Sequence, residues 1–245
     1  MRRGRHNGNL HFRFKQVHLR IILLIGILIA SIFLFVNLKI RNIICENQFG
    51  SCSKYITDVV NTKDKKNFYT SKRNVQKILD KNYLVEKYFI KYVPPDTLSI
   101  KLVERVADLS LKGSSSDLFF LVDDSGYVLG TSKETPLPVI EVGDKSFIIG
   151  NKVDDRVLFP IQLLTSIRNF SPFAKAVLEE NQFIVEVDGK TKLLFPLEGN
   201  SDLISAKAYY VLSKYPVILD NGKKSGFDRI EAIDFRFKNP VIRYI

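Results

Sequence analysis

Residues 67–105, NFYTSKRNVQKILDKNYLVEKYFIKYVPPDTLSIKLVER, contain the change of period that sets the fold. In the first part Val75, Ile78 and Leu79 share a face at i, i+3 and i+4, and Thr70 or Ser71 stands where it can cap the helix TSKRNVQKILDKN. The period then drops to two. Over Leu84–Val93, residues Val85, Phe89 and Val93 share one face with Lys87 and Lys91, while Tyr88, Ile90 and Tyr92 make up most of the other. Pro94-Pro95-Asp96 turns the chain, because proline fixes φ and donates no ladder hydrogen bond. TLSIKLVER then alternates Leu98, Ile100 and Leu102 against Ser99 and Lys101, the pattern of a half-buried strand.

Working outward, Ile40–Ile44 is expected as a short strand. Ser53–Asn61 is expected as an amphipathic helix with Tyr55, Ile56, Val59 and Val60 inward, and the polar Thr62–Lys66 as a loop. The resulting order, strand–helix–helix–strand–strand, occupies residues 39–112 and predicts an α+β class; Gly113 and Ser114–Ser116 then mark a boundary. Residues 113–245 predict a β-rich domain with two helices. DLFFLVDDSGYVLG makes a hairpin around Asp123–Gly126, FIVEVDGKTKLLF makes another around Asp188-Gly189, and TPLPVIEV is an extended link. Asp154 or Asp155 caps a helix reaching about Asn169, which Pro160 delays or kinks. Ser201 caps SDLISAKAYYVLSKY, with Leu203, Ile204, Ala208, Val211 and Leu212 as its stripe. RIEAIDFRF and PVIRYI close the chain as two strands around Lys238-Asn239-Pro240.

Residues 21–36, IILLIGILIASIFLFV, are one unbroken apolar run. With its margins, 19–38, the run is about 18–20 residues, roughly 27–30 Å as a helix, which is enough to cross a bilayer core. Arg2, Arg3, Arg5, Arg13, Lys15 and Arg20 precede it, so the positive-inside rule predicts a cytoplasmic tail (1–18) and an extracytoplasmic remainder. A cleavable signal peptide is the competing reading, but Asn37-Leu38-Lys39-Ile40 offers no small residue for a peptidase.

The first twenty residues carry six of the 37 basic side chains and none of the 26 acidic ones, which leaves an ordinary 31 against 26 and argues against nucleic-acid binding. His6, His11 and His18 all precede the span, so the outer portion has no histidine for a Ser-His-Asp triad or a histidine metal site. Cys45 and Cys52 suit a disulfide closing a short loop in an oxidising compartment; free buried thiols are the alternative. The acidic pairs Asp123-Asp124 and Asp154-Asp155 belong to a turn and a helix cap. The expectation is a protein that is not an enzyme, with no cofactor and no metal.

Asn67-Phe68, Val75–Leu79, Val85, Pro95-Asp96-Thr97-Leu98 and Val103-Glu104-Arg105 follow one another as in the POTRA region of the bacterial division family FtsQ, called DivIB in Gram-positive bacteria, which this chain resembles. FFLVDDSGYVL, LPVI (137–140) and IDFRFKNPVIRY are similar to later pieces of that family, in the same order. Two details depart from its pattern: Val106-Ala107 follows Arg105 where a proline is frequent, and Val93 rather than an aromatic precedes Pro94.

The resemblance implies a POTRA domain at 39–112 and an FtsQ-like β domain at 113–245. It implies a single-pass cell-membrane scaffold at the division septum, with FtsB/DivIC-like and FtsL-like partners that help control septal peptidoglycan synthases. Arg236 and Phe237 take the place of the family's Arg-aromatic pair near the partner site, and Val241, Ile242, Arg243 and Tyr244 would offer an edge strand to a partner segment. The alternatives are Phe235 and Phe237 as core residues with Arg236 solvated and, for the whole chain, a membrane-anchored POTRA adaptor for protein export or envelope assembly.

Overall fold

The structure is a computed structural model that describes residues 22–27, 39–61, 67–170, 173, 175–187 and 190–245. Residues 22–27 are helical and exposed; the rest of the expected span 19–38, the tail before it, the loop 62–66 and the Asp188-Gly189 turn lie outside the described residues. Among the described residues no helix is long and apolar enough to cross a membrane. The fold is mixed α+β, and contacts divide it into two units between Glu104 and Arg105.

The first unit contains β1 (Asn42–Asn47), β2 (Gly50–Ser51), α1 (Lys54–Asn61), α2 (Phe68–Leu79), β3 (Val85–Val93) and β4 (Thr97–Glu104). Its sheet runs β2-β1-β4-β3, with β1 parallel to β4 and β3 antiparallel to it. Ile56 and Val60 of α1 and Val75 and Leu79 of α2 share a core with Ile40, Ile90, Leu98, Ile100 and Leu102. Three details differ from the sequence expectations. Tyr55 points outward, 57% exposed, because the apolar stripe of α1 needs only Ile56 and Val60 at i and i+4. The cap of α2 is Asn67, whose side chain accepts the Thr70 N–H at 2.9 Å, so Thr70 and Ser71 lie inside the first turn. A bulge between Val85 and Lys87 resets the alternation of β3, which puts Val85 on the core side with Ile90 and leaves Phe89 65% exposed.

Cys45 and Cys52 form a disulfide, with their Cα atoms 5.5 Å apart, across the β1–β2 hairpin. The same hairpin grips the end of β4. Glu104 Oε1 accepts from Asn47 Nδ2 and from the Ser53 N–H, both at 2.9 Å, while the Gln48 amide bonds the Glu104 backbone in both directions.

The second unit contains β5 (Leu109–Lys112), β6 (Phe119–Val122), β7 (Val128–Ser132), β8 (Val139–Glu141), α3 (Asp155–Ile167), β9 (Lys175–Leu178), β10 (Phe183–Val187), β11 (Thr191–Phe195), α4 (Ser201–Ser213), α5 (Tyr215–Lys224), β12 (Ile230–Asp234) and β13 (Val241–Tyr244). They build a nine-stranded sheet ordered β13-β12-β11-β10-β9-β8-β5-β6-β7. The expected boundary at 112 is therefore misplaced: Leu109 and Leu111 are buried in the second core, since β5 pairs with β6 and β8. TPLPVIEV likewise contributes a parallel strand, β8, where a link was expected.

Asp154 caps α3 by accepting the Val157 N–H at 3.0 Å, and the helix runs through Pro160. Burial pushes the Asp154 carboxyl up, but the Lys145 ammonium and the Val157 N–H outweigh it and leave the group below its ordinary value. The last helical pattern splits at Lys214 into α4 and α5, with Asn200 as the α4 cap and Pro216 opening α5. Leu203, expected inward, is 56% exposed, while Ile204, Ser205 and Ala208 are buried. Arg105 opens the unit with a buried ion pair to Asp123 at 2.7 Å and lies over the Tyr127 ring.

Candidate functional site

β13 is the last strand of the second sheet and among the described residues pairs only with β12, in the register Asp234↔Val241, Ile233↔Ile242, Ala232↔Arg243 and Ile230↔Tyr244. Beyond that register, Ile245 and Arg229 exchange both backbone bonds, at 3.0 and 3.1 Å. Backbone groups alternate sides along an extended strand, so Val241, Arg243 and Ile245 bond toward β12 while the N–H and C=O of Ile242 and Tyr244 face the open edge. The bulge lies on the β12 side of the pair and leaves this alternation intact.

Side chains divide by the same parity. Ile242 and Tyr244 turn inward against the core, and Val241, Arg243 and Ile245 are exposed. Tyr244 is held on three sides: it crosses Gly222 of α5, stacks on Phe227 with ring centroids 5.3 Å apart, and donates its hydroxyl to the Ile218 carbonyl at 3.3 Å. The edge is presented on a braced strand.

At the other end of β13 the fully buried Asp234 organises two arginines. Arg236 binds it bidentately, Nε at 2.9 Å and Nη2 at 2.6 Å, and Arg243 Nη2 approaches at 3.4 Å. The Arg236 hydrogen bonds hold the Asp234 carboxyl below its ordinary value against the opposing effect of burial, and the same contact raises the Arg236 guanidinium. Arg236 also donates Nη1 to Gln182 Oε1 at 3.0 Å, reaching from the end of β12 to the start of β10.

The residues singled out from sequence thus fall into three groups. Arg236 and Arg243 meet at Asp234 beside Val241; Ile242 and Tyr244 supply the edge groups through their backbone; and Phe237, 54% exposed in the following turn, is no core residue, unlike Phe235. Two positions were not anticipated. Asp234 stands between the apolar Ile233 and Phe235, a signal that sequence carries, whereas Gly222 is legible only from its neighbour.

An open cleft of about 680 Å³ lies at the same end of the sheet, with Phe159 and Leu197 in its lining and Arg156, Glu180, Glu198 and Arg236 around them. Among the described residues no group of three or more His, Cys, Asp or Glu side chains could hold a metal ion. The chain matches no protein-family model and no curated protein.

Proposed function

We propose that the chain is a non-catalytic scaffold of the bacterial division machinery, of the FtsQ/DivIB kind. In this reading residues 19–38 tether it in the cell membrane with the N-terminus in the cytoplasm. The first unit is its POTRA domain, and the second captures FtsB/DivIC-like and FtsL-like proteins outside the membrane, helping to control septal peptidoglycan synthases. The observation that carries the proposal is β13, an edge strand whose outward N–H and C=O groups at Ile242 and Tyr244 are ready to pair with an added strand. The order β1-α1-α2-β3-β4 of the first unit, to which the two-residue β2 is added as a hairpin on β1, with β1 parallel to β4, supports the POTRA assignment.

The test is photo-crosslinking in cells from position 241, because the Val241 side chain projects outward whereas Tyr244 is turned onto Gly222. Recovery of small single-pass coiled-coil proteins is expected. Recovery of exported polypeptides instead would replace the scaffold with an export adaptor.

A further inference from the structure

At one end of the first sheet three segments come together: the start of β1, the β3–β4 turn and the start of α2. Lys39 bridges Asn67 in antiparallel fashion, and the N–H groups of Arg41 and Asn42 both donate to the Asp96 carbonyl, at 2.8 and 3.3 Å. Phe68 lies edge-on to Tyr69 and Tyr92, with ring centroids 5.3 and 5.5 Å apart, and the Tyr92 hydroxyl donates to the Pro95 carbonyl. Around this frame Lys39, Arg41, Lys91, Pro94 and Pro95 are exposed, and Tyr69 is 54% exposed. Tyrosine rings beside lysine and arginine next to an apolar segment are the composition of a membrane–water interface.

Charge is divided along the sheet. Glu46, Glu86 and Glu104 lie toward the other end, where Glu46 pairs with Lys101 and Glu86 with Lys87. At this end Asp96 is the one carboxylate among the described strand and turn residues, and it stands 3.8 Å from Arg41. Lys39 and Lys91 are in excess, so the surface is basic. The occupant follows from the chain itself. Lys39 comes directly after the apolar segment 19–38, and its bridge places Asn67 about 5 Å away, one strand spacing. The headgroup layer beside a bilayer core is about 5–7 Å deep. Tyr69, two positions further on, is therefore held within reach of the headgroups. A soluble partner would have to enter that layer to cover this surface.

We infer that this end of the first unit is a lipid-docking surface, which seats on anionic phospholipid headgroups through Lys39, Arg41, Lys91 and Tyr69. The inference rests on the tether proposed for residues 19–38. It fixes which end of the sheet meets the membrane: the Phe49 hairpin tip, 75% exposed, lies at the far end of β1, about 20 Å along the strand.

The test uses the full chain in nanodiscs of phosphatidylcholine, with or without about one-third phosphatidylglycerol. A benzophenone amino acid replaces Tyr69 in one chain and Phe49 in another, and lipid adducts are read by mass spectrometry. Adducts from position 69 are expected to exceed those from position 49 about tenfold, and to rise about threefold with phosphatidylglycerol. In the chain that also carries Arg41→Gln and Lys91→Gln the rise should vanish, while amide protection in β4 stays as it was. Salt at about 1 M should abolish the same rise with no substitution at all. Three results overturn the inference: equal adducts from 69 and 49, a yield at 69 indifferent to phosphatidylglycerol and to salt, or, in cells, adducts from 69 to protein in place of lipid. A chain that enters nanodiscs but gives no lipid adduct at 69 leaves the tether standing and removes the docking alone; a chain that does not enter them removes both.

Discussion

Tyr244 lies so close over Gly222 that a Cβ on residue 222 would stand 2.4 Å from the tyrosine Cε1 and 2.7 Å from its Cδ1. Glycine inside a helix ordinarily costs about 1 kcal/mol relative to alanine. In α5 the sign should reverse. Gly222→Ala must push the ring off the helix and away from Phe227, and it is expected to destabilise the second unit by about 1–2 kcal/mol. Urea unfolding together with amide exchange in β13 checks this; a net gain in stability would show that the ring moves aside freely.

The Asp234 site makes a prediction about pH. Its folded carboxyl is held below the ordinary 3.8 by Arg236, so the unfolded chain binds the proton more readily than the folded one. The stabilisation is therefore present above pH 3.8 and is lost as the pH falls through the lower folded value. Arg236 is 32% exposed, so the full cost of an orphaned buried charge does not apply. Asp234→Asn is expected to cost about 2 kcal/mol at neutral pH. The gap from the unsubstituted chain should close in acid, and melts at neutral and strongly acid pH measure both arms. A gap that persisted in acid would mean that the loss is one of packing.

How much of this was legible in the sequence depends on whether a signal was local. The change from helical to alternating spacing at residues 75–102 announced α2, β3 and β4 correctly, because apolar periodicity reports directly on which face is buried. The bulge at Val85/Lys87 was invisible, since one extra residue flips parity without changing composition. α5 was missed because Pro216 and Asn221-Gly222 imitate turn signals; the proline instead sits in the first turn and the glycine makes room for Tyr244. β8 and β9 are too short to show a period before their sheet partners are known. At the candidate site the edge strand could be read from PVIRYI, but the engagement of Arg236 with Gln182 could not, because Gln182 is 54 positions away.

The Cys45–Cys52 bridge should matter at Glu104 as much as at the thiols. Closing so short a loop stabilises by about 2 kcal/mol in the chain-entropy account. It also holds the hairpin whose Asn47, Gln48 and Ser53 bind Glu104. Cys45→Ala with Cys52→Ala is expected to lower the unfolding free energy of the first unit by about that amount and to speed exchange of the Glu104 amide, which Gln48 Oε1 accepts at 2.9 Å. Exchange at β10 and β11, in the other unit, should not change. Equal acceleration in both units would mean that the bridge acts on global stability alone.

The proposal for β13 yields a sharper test than truncation, because the parity of the strand separates packing from pairing. Ile242→Ala and Ile242→Pro both remove a half-buried side chain from the core and should cost a similar 1–2 kcal/mol, roughly, in stability. Only proline also deletes the N–H that faces the open edge, and β12 makes no use of that donor. Capture of an FtsB/DivIC-like partner should therefore survive Ile242→Ala with slight weakening and be abolished by Ile242→Pro, while amide exchange in β11 and β12 stays alike in the two. Arg243→Pro is the reciprocal control: its N–H points toward β12, so the substitution should loosen β13 itself and also remove an Asp234 contact. Deleting residues 240–245 should behave as Ile242→Pro does toward the partner. If Ile242→Pro still captured the partner at the affinity of Ile242→Ala, the partner would not be adding a strand here, and the exposed Val241 and Arg243 side chains would be what it reads.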